Sequence, residues 1–228
     1  MIWRTTVLTA CAMVMAATQS YADISDTEPG LTQWAPQAGD VISFDVLRQG
    51  NEFGRHEVRF DEAENGDLLV ETEVRLRAGL GPITLFRYRL ETEERWRDGQ
   101  LIALSGDVND DGSKESVTAV SESGQLVIDG DGFSGSLDLG ILPASHWNVG
   151  QTKVEQLLSS ENGEILDVAV LPQGRETITV DGETVEANKF LMDSDIDVSL
   201  WYDDSGRWLK LSFEARGQAI EYVLNSLY

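Results

Sequence analysis

The sequence predicts an all-β chain, an antiparallel, strongly curved meander that forms a barrel or half-barrel with one short helix. The first observation behind this is a parity rule between Leu68 and Trp96. Leu68, Val70, Thr72, Val74 and Leu76 alternate with Glu71, Glu73, Arg75 and Arg77. Further on, Phe86, Tyr88, Leu90, Thr92 and Trp96 alternate with Arg87, Arg89, Glu91, Glu93 and Arg95. Side chains along a strand point to opposite faces in turn, so both segments carry one dry and one charged face. The second observation is turn chemistry. Asp98-Gly99, Asp111-Gly112, Asp129-Gly130, Asn162-Gly163 and Asp181-Gly182 punctuate the chain, and such pairs favour tight hairpins because Gly and Asn tolerate positive φ. The third is continuity: no Pro- or Ser-rich linker or shift in composition divides the chain, which predicts a single domain.

The elements follow in order. Met1–Ala22 has one positive charge (Arg4), an apolar run from Val7 to Ala17 and small residues at Ser20 and Ala22. This reads as a secretory signal peptide too short to remain as a membrane anchor. In a minor alternative Leu8-Thr9-Ala10-Cys11 is a lipobox and Cys11 carries a lipid. Residues 23–39 read as an irregular lead-in, and 40–228 as the β domain of roughly ten to twelve strands. In the long hairpin a loop over Ala78–Pro82 pairs Glu73 with Arg87 and Glu71 with Arg89, and sets Arg77 opposite Ile83. The alternative register opposes Arg77 to Arg87 and Glu71 to Glu93, which costs roughly 0.2–1 kcal/mol for each like pair. Thr152-Lys153-Val154-Glu155 fits a capping box and predicts a short helix near 153–160. Trp96-Arg97-Asp98-Gly99 and Trp201-Tyr202-Asp203-Asp204-Ser205-Gly206 are a faint internal echo, either a duplicated hairpin or two separate solutions to one turn.

Composition bounds the function. Removing 22 of 228 residues leaves 206 with no cysteine, so the fold rests on its core rather than on disulfides. It also leaves 16 basic against 40 acidic side chains, a formal charge of −24. A polyanion of that kind repels nucleic acid and anionic membrane surfaces. The expected location is the periplasm or the exterior, with no transmembrane segment after signal removal.

Catalytic signals are thin. Cysteine catalysis is excluded, and neither a Gly-x-Ser-x-Gly elbow nor a Ser-x-x-Lys motif occurs. The two histidines lack zinc-ligand spacing. His56 shares the parity of Val58 and Phe60 and reads as a packed strand residue, whereas His146 lies with Trp147 in an irregular segment where functional residues collect. The ligand-binding candidates are therefore His146 and Trp147, with Tyr88 and Trp96 on the inward strand face. No cofactor is expected. Calcium has one candidate loop: Asp107, Asn109, Asp111 and Glu115 with Gly112 match the start of a calcium-binding loop, but Thr118 stands where an EF-hand needs Glu.

Gly39-Asp40-Val41-Ile42-Ser43-Phe44-Asp45-Val46, Gly79–Tyr88, Ser145-His146-Trp147-Asn148 and Leu200-Trp201-Tyr202-Asp203-Asp204 resemble an uncharacterised family of exported proteins of Gram-negative bacteria. That family is similar in layout to a second exported family of unknown function, and more distantly to periplasmic lipoprotein-carrier and lipid-binding half-barrels. The resemblance implies a curved antiparallel sheet and an envelope location; it brings no catalytic residues. The function expected is a non-enzymatic envelope protein that binds an apolar small molecule or lipid in its concave face. A structural or assembly factor contacting an envelope protein is the alternative, and a hydrolase the third reading.

Overall fold

The computed structural model describes residues 31–226 and 228, except 81–82. The proposed signal peptide, its Cys11 and the start of the lead-in lie outside the described residues.

The chain is all-β. An N-terminal meander comprises β1 (Val41–Arg48), β2 (Asn51–Glu62), β3 (Leu68–Leu80), β4 (Ile83–Arg97) and β5 (Gln100–Asp110). It continues through β6 (Ser113–Glu122), β7 (Gln125–Gly130) and β8 (Ser134–Asp138). A second meander runs through β12 (Ala169–Val180), β13 (Glu183–Asp193), β14 (Val198–Tyr202), β15 (Trp208–Ala215) and β16 (Gln218–Leu224). Antiparallel pairing of β1 with β16 fuses the two into one 13-stranded sheet whose edges are β8 and β12. The sheet curls without closing. Between the meanders, β9 (Leu142–Pro143), β10 (Gln156–Leu158) and β11 (Ile165–Asp167) make a separate three-stranded sheet.

Parity holds where it was read. Phe44, Val46, Val70, Val74, Leu76 and Trp96 are buried, and Phe86, Tyr88 and Leu90 are half-buried against the same core. Arg87 and Arg89, between them, are exposed. Each large apolar side chain withdrawn from water contributes about 1.5–3 kcal/mol, which drives the sheet to curl around its greasy face. Leu31 and Trp34 of the lead-in pack against this core, the Trp34 ring on Phe60 at 5.1 Å and on Tyr228 at 4.8 Å.

Two expectations are overturned. The long hairpin adopts the register with Arg77 opposite Arg87, Arg75 opposite Arg89 and Glu71 opposite Glu93. The strands extend to a Leu80–Ile83 pair, leaving only Gly81-Pro82 between them, and a bulge opposite Ala78/Gly79 restores the inward parity. The extra ladder pairs up to Leu80–Ile83 outweigh a few tenths of a kcal/mol per like pair. The charges are also satisfied off-axis: Arg75 pairs with Glu73 on its own strand, and Arg89 reaches Glu91 at 2.5 Å and Glu73 at 3.8 Å.

The helix near 153–160 does not form. A 3-10 turn spans Val149–Lys153 instead, capped by Asn148, whose Oδ1 accepts from the Gly150 amide at 2.9 Å. Leu157 and Leu158 then enter a strand, and both are buried. Val154, Leu157 and Leu158 stand at helical spacing, but Ser159–Gly163 has no apolar residue to continue that face, so local capping chemistry lost to burial of the adjacent leucines. The two turns of the echo hold their tryptophans differently. Trp96 is fixed by the bond from its indole to Glu94, whereas Trp201, as deeply buried, lies between Lys189 and Lys210, whose ammonium groups sit 4.8 and 5.1 Å from its ring.

Candidate functional site

The segment between the meanders acts as a plug in the concave face. Two strand glycines let its backbone approach. A Cβ at Gly106 would stand 2.0 Å from the Ser160 carbonyl oxygen, and one at Gly130 2.4 Å from that of Asn162. At the other end of the plug, the Trp147 ring packs edge-on against Phe60 (5.3 Å) and Trp96 (5.4 Å).

Glu94 anchors that end. It lies on the inward face of β4, only 2% exposed. Its Oε2 accepts from both indoles, Trp96 Nε1 at 2.8 Å and Trp147 Nε1 at 3.0 Å. Oε1 and the adjacent Ser145 hydroxyl are unpartnered. Burial pushes the Glu94 carboxyl above the usual range, and the indole hydrogens pull only part of the way back. This is a carboxyl held inside to fix two tryptophans.

His146 is the pivot of the plug, in left-handed backbone at φ 64°. The Tyr202 hydroxyl donates to its carbonyl at 2.9 Å and accepts from Gln151 Nε2. That orients the Gln151 amide, so Oε1 accepts from His146 Nδ1 at 3.0 Å and the ring's Nε2 is left as a bare acceptor. Burial lowers the His146 pKa, so the ring is neutral near pH 7.

Above the plug the concave face stays open as a cavity of about 750 Å³. One wall comes from β2–β4 (Val74, Leu76, Leu90) and the other from β14–β16 (Val198, Leu211, Ile220). Phe53 and Phe86 also line it, beside the exposed Ile196. Polar groups gather on its floor. Tyr88 donates to Glu161 Oε1 at 2.7 Å, and burial raises both pKa values. His56 is boxed by Phe44, Trp208 and Tyr222 at 6.3, 5.3 and 5.5 Å, and neither of its ring nitrogens has a partner. Burial first, and His146 second, push its pKa down to about 3.

Four ligand-binding candidates were drawn from the sequence, and the structure separates them. Tyr88 and His146 line the cavity; Trp96 and Trp147 do not, being held beneath it by Glu94. Sequence reading missed Glu94, Glu161 and Gly106. Signals existed for two of them: a carboxylate on inward parity at 94, and an isolated strand glycine at 106, which marks close backbone approach. Of the calcium candidates, Asn109 Oδ1 accepts from the Gly112 amide at 2.9 Å, and Glu115 accepts from Asn162 Nδ2 at 3.0 Å. Asp107 and Asp111 are exposed. Among the described residues no three His, Cys, Asp or Glu side chains are grouped to hold a metal ion, and no helix is long and apolar enough to cross a membrane.

A neutral, unpartnered histidine makes stability depend on pH. In the unfolded chain His56 titrates near 6.5, and in the folded state near 3. Below pH 6.5 the unfolded chain takes up a proton that the folded one refuses, so stability falls with pH by up to about 1.4 kcal/mol per unit for this one group. His56→Phe should remove that component. Its unfolding free energy, measured against wild type in urea, is expected to gain steadily from pH 6.5 down towards 3. A constant difference across that window contradicts a neutral, buried His56.

Fold and site together define a β-barrel-like protein with an open sheet, a plugged concave face and an apolar cavity. Residues 44–225 match a domain of unknown function, DUF6134, and the chain belongs to that family. In three dimensions it is similar to a β-barrel-like protein of another domain of unknown function, DUF1849, from Brucella abortus. That match has a TM-score of 0.55 and 12% identity, and covers 81% of this chain and 94% of that one. At such identity the likeness is one of fold. No curated protein matches the chain in sequence.

Proposed function

We propose that this is a non-enzymatic envelope protein that holds an apolar or amphipathic molecule in its concave face. The observation that carries the reading is the cavity of about 750 Å³ between β2–β4 and β14–β16, within the roughly 300–1,000 Å³ typical of ligand sites. Its walls between the two meanders are mainly aliphatic and aromatic, His56, Tyr88, His146 and Glu161 gather on its floor, and charged side chains including Arg48, Asp195 and Arg216 line it beside the exposed Ile196. A core free to pack solid would have filled this space, since interiors otherwise reach crystal-like density. The leading segment supports export, and the resemblance to lipid-carrying half-barrels agrees with the shape.

Native mass spectrometry of protein purified from its own envelope without detergent tests this. Wild type is expected to carry a co-purifying amphiphile. Leu90→Trp and Val198→Trp, which fill the cavity from the two walls, should arrive empty with the melting temperature retained. Bare wild-type protein that also leaves Nile red fluorescence unchanged overturns the reading.

A further inference from the structure

The floor of the cavity carries a chemical instruction about the head of the ligand. His56 is 6% exposed and lines the cavity, yet both Nδ1 and Nε2 lack a hydrogen-bond partner. Orphaned buried polar atoms cost about 1–3 kcal/mol each, so an imidazole kept in this state calls for a partner from outside the chain. A neutral imidazole offers one donor and one acceptor. The second imidazole, His146, offers a bare acceptor at Nε2, because its Nδ1 is committed to Gln151. Tyr88 offers no donor, since its hydroxyl hydrogen goes to Glu161.

Three head groups can be weighed against this set. A carboxylate only accepts, so it would leave the acceptor nitrogens of His56 and His146 unmatched, and would enter beside the Glu161 carboxyl. An ammonium only donates, and leaves the His56 N–H orphaned. A hydroxyl both donates and accepts, so it alone of the three can meet the His56 N–H and one imidazole acceptor together. Protonating His56 to suit an anion is opposed by its burial, which leaves the ring 6% exposed.

We propose that the cavity selects an amphiphile with an uncharged hydroxyl head, whose oxygen accepts from the His56 N–H while its hydrogen goes to an imidazole acceptor, the apolar body lying between β2–β4 and β14–β16. This rests on the cavity reading above and names the ligand class for it. His56 is then retained for recognition at a cost in stability.

Displacement of Nile red from the full chain by n-decanol, decanoate and n-decylamine, identical in tail, tests the assignment near neutral pH. Decanol is expected to displace the dye at about tenfold lower concentration than either charged analogue, the factor expected from one well-matched buried hydrogen bond. His56→Phe should lose the decanol preference, read as the ratio of decanol to decanoate displacement whatever its affinity for the dye, and His56→Gln, which retains a donor and an acceptor, should recover part of it. Decanoate or decylamine competing as well as decanol overturns the head-group assignment and leaves the cavity reading intact, as does an unchanged preference in His56→Phe. Failure of wild type to bind the dye or any of the three overturns the cavity reading itself. The wild-type ranking decides the matter even if His56→Phe does not fold.

Discussion

Glu94→Ala is expected to lower the unfolding free energy by about 2–4 kcal/mol, a large share of the roughly 5–15 kcal/mol that holds a domain together. The loss has two sources. The Trp96 and Trp147 indole N–H groups both donate to Glu94 Oε2; without it two buried donors are orphaned, at about 1–3 kcal/mol each. The truncated side chain also leaves a void where β4 meets the plug. Relief from burying a carboxyl offsets part of this, since the site already raises the Glu94 pKa. Glu94→Gln keeps one oxygen able to accept from both indoles and should cost less than about 1.5 kcal/mol. Urea unfolding followed by tryptophan fluorescence reads both variants. An Ala variant as stable as wild type, or a Gln variant as damaged as Ala, would show that the carboxyl is not what fixes the plug.

The second large effect is expected at Gly106, where the damage comes from what is added. A methyl group there would lie 2.0 Å from the Ser160 carbonyl oxygen. That contact is with backbone, so the segment Ser159–Gly163 must move outward, on the order of 1 Å, at about 1–3 kcal/mol. Glu161 lies in the displaced segment, so its bond to Tyr88 at 2.7 Å should open and disturb the cavity floor. Gly106→Ala is therefore expected to destabilise the fold and to weaken Nile red binding together. Gly112→Ala is the control. It adds a methyl group in open space at φ +105°, so backbone strain alone acts there, at about 1 kcal/mol, and binding is untouched. Equal loss of binding in the two variants would mean that Gly106 does not set the floor.

Much of the fold was legible in the sequence, and particular residues show why. Alternation from Leu68 to Leu76 and from Phe86 to Trp96 forces a two-faced sheet, because neighbouring side chains cannot share a face and only one face can be hidden from water. Turn dipeptides such as Asp98-Gly99 and Asp181-Gly182 impose tight reversals through their own backbone preferences, and both are hairpin turns in the structure. These are near-neighbour constraints, and no distant contact was needed to read them.

The floor was legible only in part. Tyr88 and His146 could be named from parity and from their setting in an irregular segment, but Trp147 and Trp96 turned out to be ballast beneath the cavity rather than its lining. Glu161 carried no local mark at all, since its role arises from Tyr88, 73 positions away in the chain.

The residues by themselves determined the class of fold, the inward row of side chains and the tight turns, because period-2 burial and backbone preference act within a few positions. Tertiary structure decided the register of the β3–β4 hairpin, the strand Gln156–Leu158 in place of a helix over 153–160, and the pairing of β1 with β16. It also decided that two histidines 90 positions apart share one cavity floor. Each of these is a sum of small competing contributions from residues distant in the chain, and only the packed molecule adds them together.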